Sequence, residues 1–72
     1  MCIHYKNHLI DPKIHKLRDA DGYSAEVYVF DCRQYTETRL IFEPHVFPTE
    51  ERALQAAVQV GRNAINRGDV RV

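Results

Sequence analysis

The sequence predicts an α+β domain: a three-stranded antiparallel β-sheet, ordered as a meander, with one C-terminal amphipathic α-helix packed on one face. Three observations carry that expectation. Apolar and polar residues alternate through 23–31 and 36–43, the period lengthens to about 3.6 after Thr49, and short turn-forming segments separate the pieces. A chain of 72 residues forms one small domain over 1–72, burying about 60% of the surface that its unfolded form exposes.

Taken in order, Ile3 to Ile10 mixes β-branched, aromatic and polar residues and is expected to be the first strand. It should stop at Asp11-Pro12, where proline removes a ladder donor. Residues 11–21 then form a link containing Ile14 and Leu17, closed by the turn "RDADGY", whose Asp and Gly tolerate left-handed backbone. The second strand is Tyr23 to Asp31, "YSAEVYVFD", with Tyr23, Ala25, Val27 and Val29 on one face and Ser24, Glu26, Tyr28 and Phe30 on the other. "CRQYTE" connects it to a third strand, Thr36 to Glu43, with Thr38, Leu40 and Phe42 on one face and Glu37, Arg39, Ile41 and Glu43 on the other. Short links between consecutive strands imply antiparallel pairing.

The stretch "FEPHVFPT" is a corner. Its prolines keep Glu43 and Phe47 out of the helical region, so the chain stays extended until Thr49. A helix is expected over 50–67, with Thr49 as N-cap, Glu50 and Glu51 at its positive end, Arg62 and Arg67 toward its negative end, and Gly68 as the stop. Its apolar face gathers Ala53, Leu54, Ala57, Val58, Gly61, Ala64 and Ile65. Gly61 is out of place there, since glycine costs about 1 kcal/mol relative to alanine inside a helix. It marks either a tolerant position or a close approach of the helix to a bulky group such as Tyr23, Val27 or Phe42.

One helix covers one face of the sheet. The other would then carry Tyr28, Phe30 and Ile41 as an apolar contact patch rimmed by Glu26, Arg39 and Glu43. The competing arrangement folds Ile14, Leu17 or the tail at Val70 and Val72 across that face. A two-fold dimer joining two open faces would enlarge an otherwise marginal core.

Ten basic and ten acidic side chains cancel, which removes the strong positive field typical of nucleic-acid and anionic-membrane binders. Residues 1–18 carry Lys6, Lys13, Lys16 and Arg18 against Asp11, a mild basic excess. No signal peptide and no membrane-spanning run is read, so the expected location is cytoplasmic, with Cys2 and Cys32 as reduced thiols.

Catalytic and metal chemistry find little support. His4 and His8 have the spacing of two ligands on a helix, but in a strand they would lie about 13 Å apart at roughly 3.3 Å per residue. His15 and Cys2 complete the set that could suggest a metal, and His45, between Pro44 and Val46, has no acid or cysteine at an enlisting spacing. Cys32 beside Arg33 fits a structural cysteine better than a nucleophile, and there is no glycine-rich phosphate loop or GxSxG. Catalytic residues, metal ligands and cofactors are therefore expected to be none.

The segments "YKNHLI", "DGYSAEVYVFD" and "FPTEERALQAAVQVGRNAI" together resemble small uncharacterised bacterial proteins built as a β-β-β-α unit. The order is also similar to HicB-type antitoxin domains, whose helix likewise begins near a Thr followed by acids and Ala-Leu, here Thr49, Glu50, Glu51, Ala53 and Leu54. Such a resemblance implies a domain that occludes a toxin or dimerises. This chain has "DCRQYTE" where that family has a Pro-Asp-x-x-Gly-Cys stretch, and no functional residue carries over. The expected role is a non-catalytic protein-interaction or dimerisation module, with regulatory nucleic-acid binding as the alternative.

Overall fold

A computed structural model describes residues 2–68. The elements are β1 (Ile3–Tyr5), β2 (His8–Lys16), β3 (Tyr23–Asp31), β4 (Thr36–Leu40), β5 (Val46–Phe47) and α1 (Glu50–Arg67). The α+β class, the antiparallel sheet and the C-terminal helix are as expected. The sheet has five strands rather than three, ordered β1-β2-β3-β4, with β5 also pairing β3.

The first expected strand is in fact a hairpin. Lys6 and Asn7 both take positive φ, 47° and 64°, the signature of a two-residue type I′ turn. Ile3 is thereby set opposite Ile10, and Tyr5 opposite His8. The second strand of this hairpin does not stop at Pro12 but runs on to Lys16, paired with β3 from His8↔Asp31 to Lys16↔Tyr23. In a two-residue hairpin the flanking residues exchange both backbone bonds, so by alternation His8, Ile10 and Pro12 direct their N–H and C=O positions away from β3. The donor that Pro12 lacks thus falls on the outer edge, just past the end of β1. Residues 11–16, expected as part of a linker, are strand, and Ile14 faces the helix side as part of the sheet rather than folding across the other face. The true loop is 17–22, closed by Leu17 N–H to the Gly22 carbonyl at 3.1 Å.

β4 ends at Leu40 instead of Glu43. The chain leaves β3 opposite Val27 and returns to it at Tyr23↔Phe47 and Ser24↔Val46, with Ala25 N–H donating to the His45 carbonyl at 2.9 Å. The corner expected at 42–49 therefore includes a short strand that continues the line of β4.

Helix α1 lies over β2 and β3. Thr49 Oγ1 accepts Arg52 N–H at 3.1 Å, and Gly68 closes the other end at φ 76°. Its C-terminal turns are tied to the first hairpin, since Tyr5 Oη and Lys6 Nζ both donate to Asn66 Oδ1 and Arg62 lies over the Tyr5 ring. The core between helix and sheet consists of Ile10, Ala25, Val27, Ala53 and Ala57, flanked by half-buried Ile3, Tyr23, Leu40, Phe42, Phe47 and Val60.

Gly61 marks a close approach, but to a different residue from those expected. A Cβ built on it would stand 2.9 Å from Ile10 Cγ2. The candidates named from sequence lay on the other strands, and Ile10 was missed because it stood at the expected end of the first strand, just before Pro12.

Candidate functional site

Because strand side chains alternate, everything that does not face the helix lies on one continuous open face. The register sets it out in rows across the sheet. His4, Leu9, Phe30 and Glu37 form one row, and Asp11, Tyr28 and Arg39 the next. Lys13 and Glu26 follow, then His15, Ser24 and Val46.

Of the residues expected to form the contact patch, Tyr28 and Phe30 are brought together. They share a shallow hollow of about 280 Å³ with Cys2, Leu9, Asp11 and Glu37. Tyr35, in the β3–β4 turn, is 80% exposed and meets Phe30 edge-on at 6.2 Å between ring centroids. Ile41 does not join them. It is 68% exposed, lies past the end of β4, and lines a separate hollow of about 250 Å³ with His15, Ser24, Glu26, Arg39 and His45. The ion pair of Arg39 Nε with Glu26 Oε1 stands between the two apolar groups. Glu43, expected on the rim, instead accepts from His45 Nδ1 at 3.0 Å. His45 therefore does have an acid partner, two residues away.

Strand β2 supplies what sequence reasoning missed on this face: Leu9, Asp11, Lys13 and His15. The available signal was the alternation of His8, Ile10, Pro12 and Ile14, hidden by the proline. Asp11 Oδ2 and Lys13 Nζ lie 3.2 Å apart, and the bond and charge of Asp11 raise the Lys13 ammonium above the ordinary lysine range. Glu26 similarly raises the Arg39 guanidinium through a hydrogen bond and its charge. His15 Nε2 reaches Glu26 Oε2 at 3.9 Å. Asp11, Lys13, Glu26 and Arg39 are thus paired, and with Glu37 the face stays near charge balance, which suits a protein surface better than a polyanion.

The other titratable cluster is structural in form. His4 and His8 straddle the Lys6–Asn7 turn, His4 on the open face and His8 buried on the helix side, so they do not converge. His8 Nδ1 bonds the Lys6 carbonyl at 2.7 Å, and Nε2 lies 3.7 Å from Asp31 Oδ2. Asp31 Oδ1 accepts the N–H groups of Arg33 and Gln34 at 2.8 and 3.2 Å, the arrangement of an Asx turn. These contacts brace two hairpin turns side by side, together with Cys32 N–H donating to the Asn7 carbonyl at 3.0 Å. Both cysteines are free, Cys2 exposed and Cys32 half-buried.

Between the outer edge of β2 and the first turn of α1 lies a hollow of about 520 Å³, lined by Pro12, Ile14, Leu54, Glu50 and Glu51. Its ionisable lining is the pair of carboxylates, Glu50 and Glu51, at the start of α1. Among the described residues no group of three or more His, Cys, Asp or Glu is placed to hold a metal ion, and no helix is long and apolar enough to cross a membrane. The tail at Val70 and Val72, the other candidate cover for the open face, lies outside the described residues. Comparison with family models, curated proteins and solved structures finds no match to this chain.

Proposed function

We propose that this protein is a small non-catalytic interaction module that associates with a second copy of itself through the open face of its sheet. One observation carries the reading. Leu9, Tyr28 and Phe30 are gathered at one end of a sheet face that no described element covers, with Tyr35 80% exposed beside them. The strands β1 to β5, of three, nine, nine, five and two residues, at about 3.3 by 4.8 Å per residue give a plane of roughly 440 Å². Side-chain relief brings that toward the roughly 800 Å² per partner of a stable interface.

The near-neutral face favours a protein over nucleic acid, since Asp11, Glu26 and Glu37 stand among its aromatic residues. A cytoplasmic location with reduced thiols belongs to the same reading. Sedimentation velocity over a concentration series tests it. The parent should move from monomer to dimer as concentration rises, and Tyr28→Asp should hold it monomeric while the far-UV spectrum stays unchanged. A parent that remains monomeric at high concentration, or that captures single-stranded nucleic acid in a steeply salt-dependent manner, would reverse the conclusion.

A further inference from the structure

The pattern of charge on the open face is specific enough to choose how two copies meet. Resting on the self-association read above, we propose that they pack face to face about a two-fold axis that runs parallel to the strands, midway between β2 and β3. Such an axis keeps position along the strands and exchanges β2 with β3. Each residue is therefore laid on the partner copy's version of its own cross-strand neighbour.

The consequences follow from the register. Leu9 meets Phe30 of the other copy, Asp11 meets Tyr28, Lys13 meets Glu26, and His15 meets Ser24. In the outer strands His4 falls toward Glu37, which ends the same row. Apolar groups meet at one end, the Tyr28 hydroxyl is presented to a carboxylate, and Lys13 meets an opposite charge, every contact occurring twice by symmetry. The pairs Asp11–Lys13 and Glu26–Arg39, already formed within each copy, join across the interface into four-residue networks. Aligned sheets cross at about 30°, which offsets the corners but keeps the two central rows, Asp11/Tyr28 and Lys13/Glu26, in register.

Competing axes fit less well. An axis along β3 lays Glu26 on its own copy, placing like charges together. An axis across the strands at Tyr28 puts Phe30 on Glu26 and Leu9 on Lys13. One between Tyr28 and Phe30 puts Leu9 on Asp11 and leaves Lys13 and Glu26 outside the contact.

Within one chain Lys13 also lies opposite Glu26, so a simple charge swap would not separate the two contacts, whereas mixing two variants does. Lys13→Glu alone sets carboxylates against carboxylates across the interface, and Glu26→Lys alone sets ammonium groups against each other. Each should self-associate at least about tenfold more weakly than the parent. Combined, the two variants face each other with opposite charges at both contacts, and sedimentation should show a one-to-one heterodimer.

Two variants that dimerise alone as well as the parent, while Tyr28→Asp does not, would overturn this axis and leave the interaction surface standing. A mixture that stays monomeric with both variants folded would overturn it as well. A parent that never dimerises removes the surface and the axis together. If either variant fails to fold, a zero-length carbodiimide coupling of mixed isotope-labelled and unlabelled parent decides. Lys13–Glu26 amides joining a labelled to an unlabelled chain are expected, and their absence from a coupled dimer is incompatible with the axis.

Discussion

At Gly61 two energies of similar size oppose each other. Alanine there would recover about 1 kcal/mol of helix propensity, but its Cβ would stand 2.9 Å from the branch methyl of Ile10, a fully buried residue with no flexible end to move aside. Overpacking of this kind costs about 1–3 kcal/mol, so the clash wins. Gly61→Ala should be destabilising by about 1 kcal/mol, and Gly61→Leu by about 3 kcal/mol or more, read from urea midpoints beside the exposed Gln55→Leu as control. A melting temperature for Gly61→Leu within a degree or two of the parent would refute the close approach. Asp31 makes a second, pH-dependent case. The Arg33 N–H holds its carboxyl below the usual 3.8 against the opposing cost of burial, aided by the Gln34 N–H and by His8. A carboxyl depressed in the folded state contributes stability above its unfolded value and loses it as pH falls through the folded one. Stability should therefore decline below about pH 4, and Asp31→Asn should flatten that part of a urea-midpoint profile. An unchanged slope in the variant would show that Asp31 does not brace the turns.

At the scale of elements, the β3–β4 turn holds the clearest conflict between local preference and structure. Tyr35 takes φ 57°, left-handed backbone that costs a bulky residue roughly 1–2 kcal/mol. Its N–H closes the turn on the Asp31 carbonyl at 2.8 Å, and the side chain is spent on Phe30 and on solvent rather than on the core. Asn tolerates this conformation, so Tyr35→Asn should raise the melting temperature of the monomer while weakening self-association, a trade typical of residues retained for contact rather than stability. A variant that is less stable and dimerises as before would contradict this. Legibility from sequence follows the same division between local and non-local rules. β3 and α1 were readable to the residue because their periodicity is unbroken and Thr49 and Gly68 are cap residues in their own right. β1 and β2 were not, because a type I′ turn at Lys6–Asn7 lacks the glycine that usually announces one, and because Pro12 ends a strand unless its missing donor faces an empty edge. That depends on where β1 stops, a tertiary fact. With β2 unseen, half of the open face was unseen too. Tyr28 and Phe30 were legible from the alternation of β3, whereas Ile41 was misplaced because the early exit of β4 is set by the return of Val46–Phe47 to β3.

For the whole molecule, one helix against one sheet leaves a thin core. Its fully buried large side chains are Ile10, Val27 and Val29, and much of the remainder is alanine. A core of this kind in a chain of 72 residues supplies only about 3–5 kcal/mol. Association that buries Leu9, Tyr28 and Phe30 would therefore be a large part of the total stability rather than an addition to it. By mass action, a folded state that dimerises is stabilised as protein concentration rises, whereas a monomer's transition is independent of concentration. The melting temperature of the parent should climb by several degrees over a hundredfold concentration range, since each tenfold step is worth up to about 1.4 kcal/mol and 1 kcal/mol moves a domain of this size by about 4–8 °C. Phe30→Asp should abolish the climb and leave the melting temperature at the parent's dilute limit, because the substitution lies outside the core under the helix. A concentration-dependent transition that persists in Phe30→Asp would place the association elsewhere on the molecule, with the hollow between β2 and α1 the next surface to probe. A concentration-independent transition in the parent would mean that the open sheet face is not where this protein finds its missing stability.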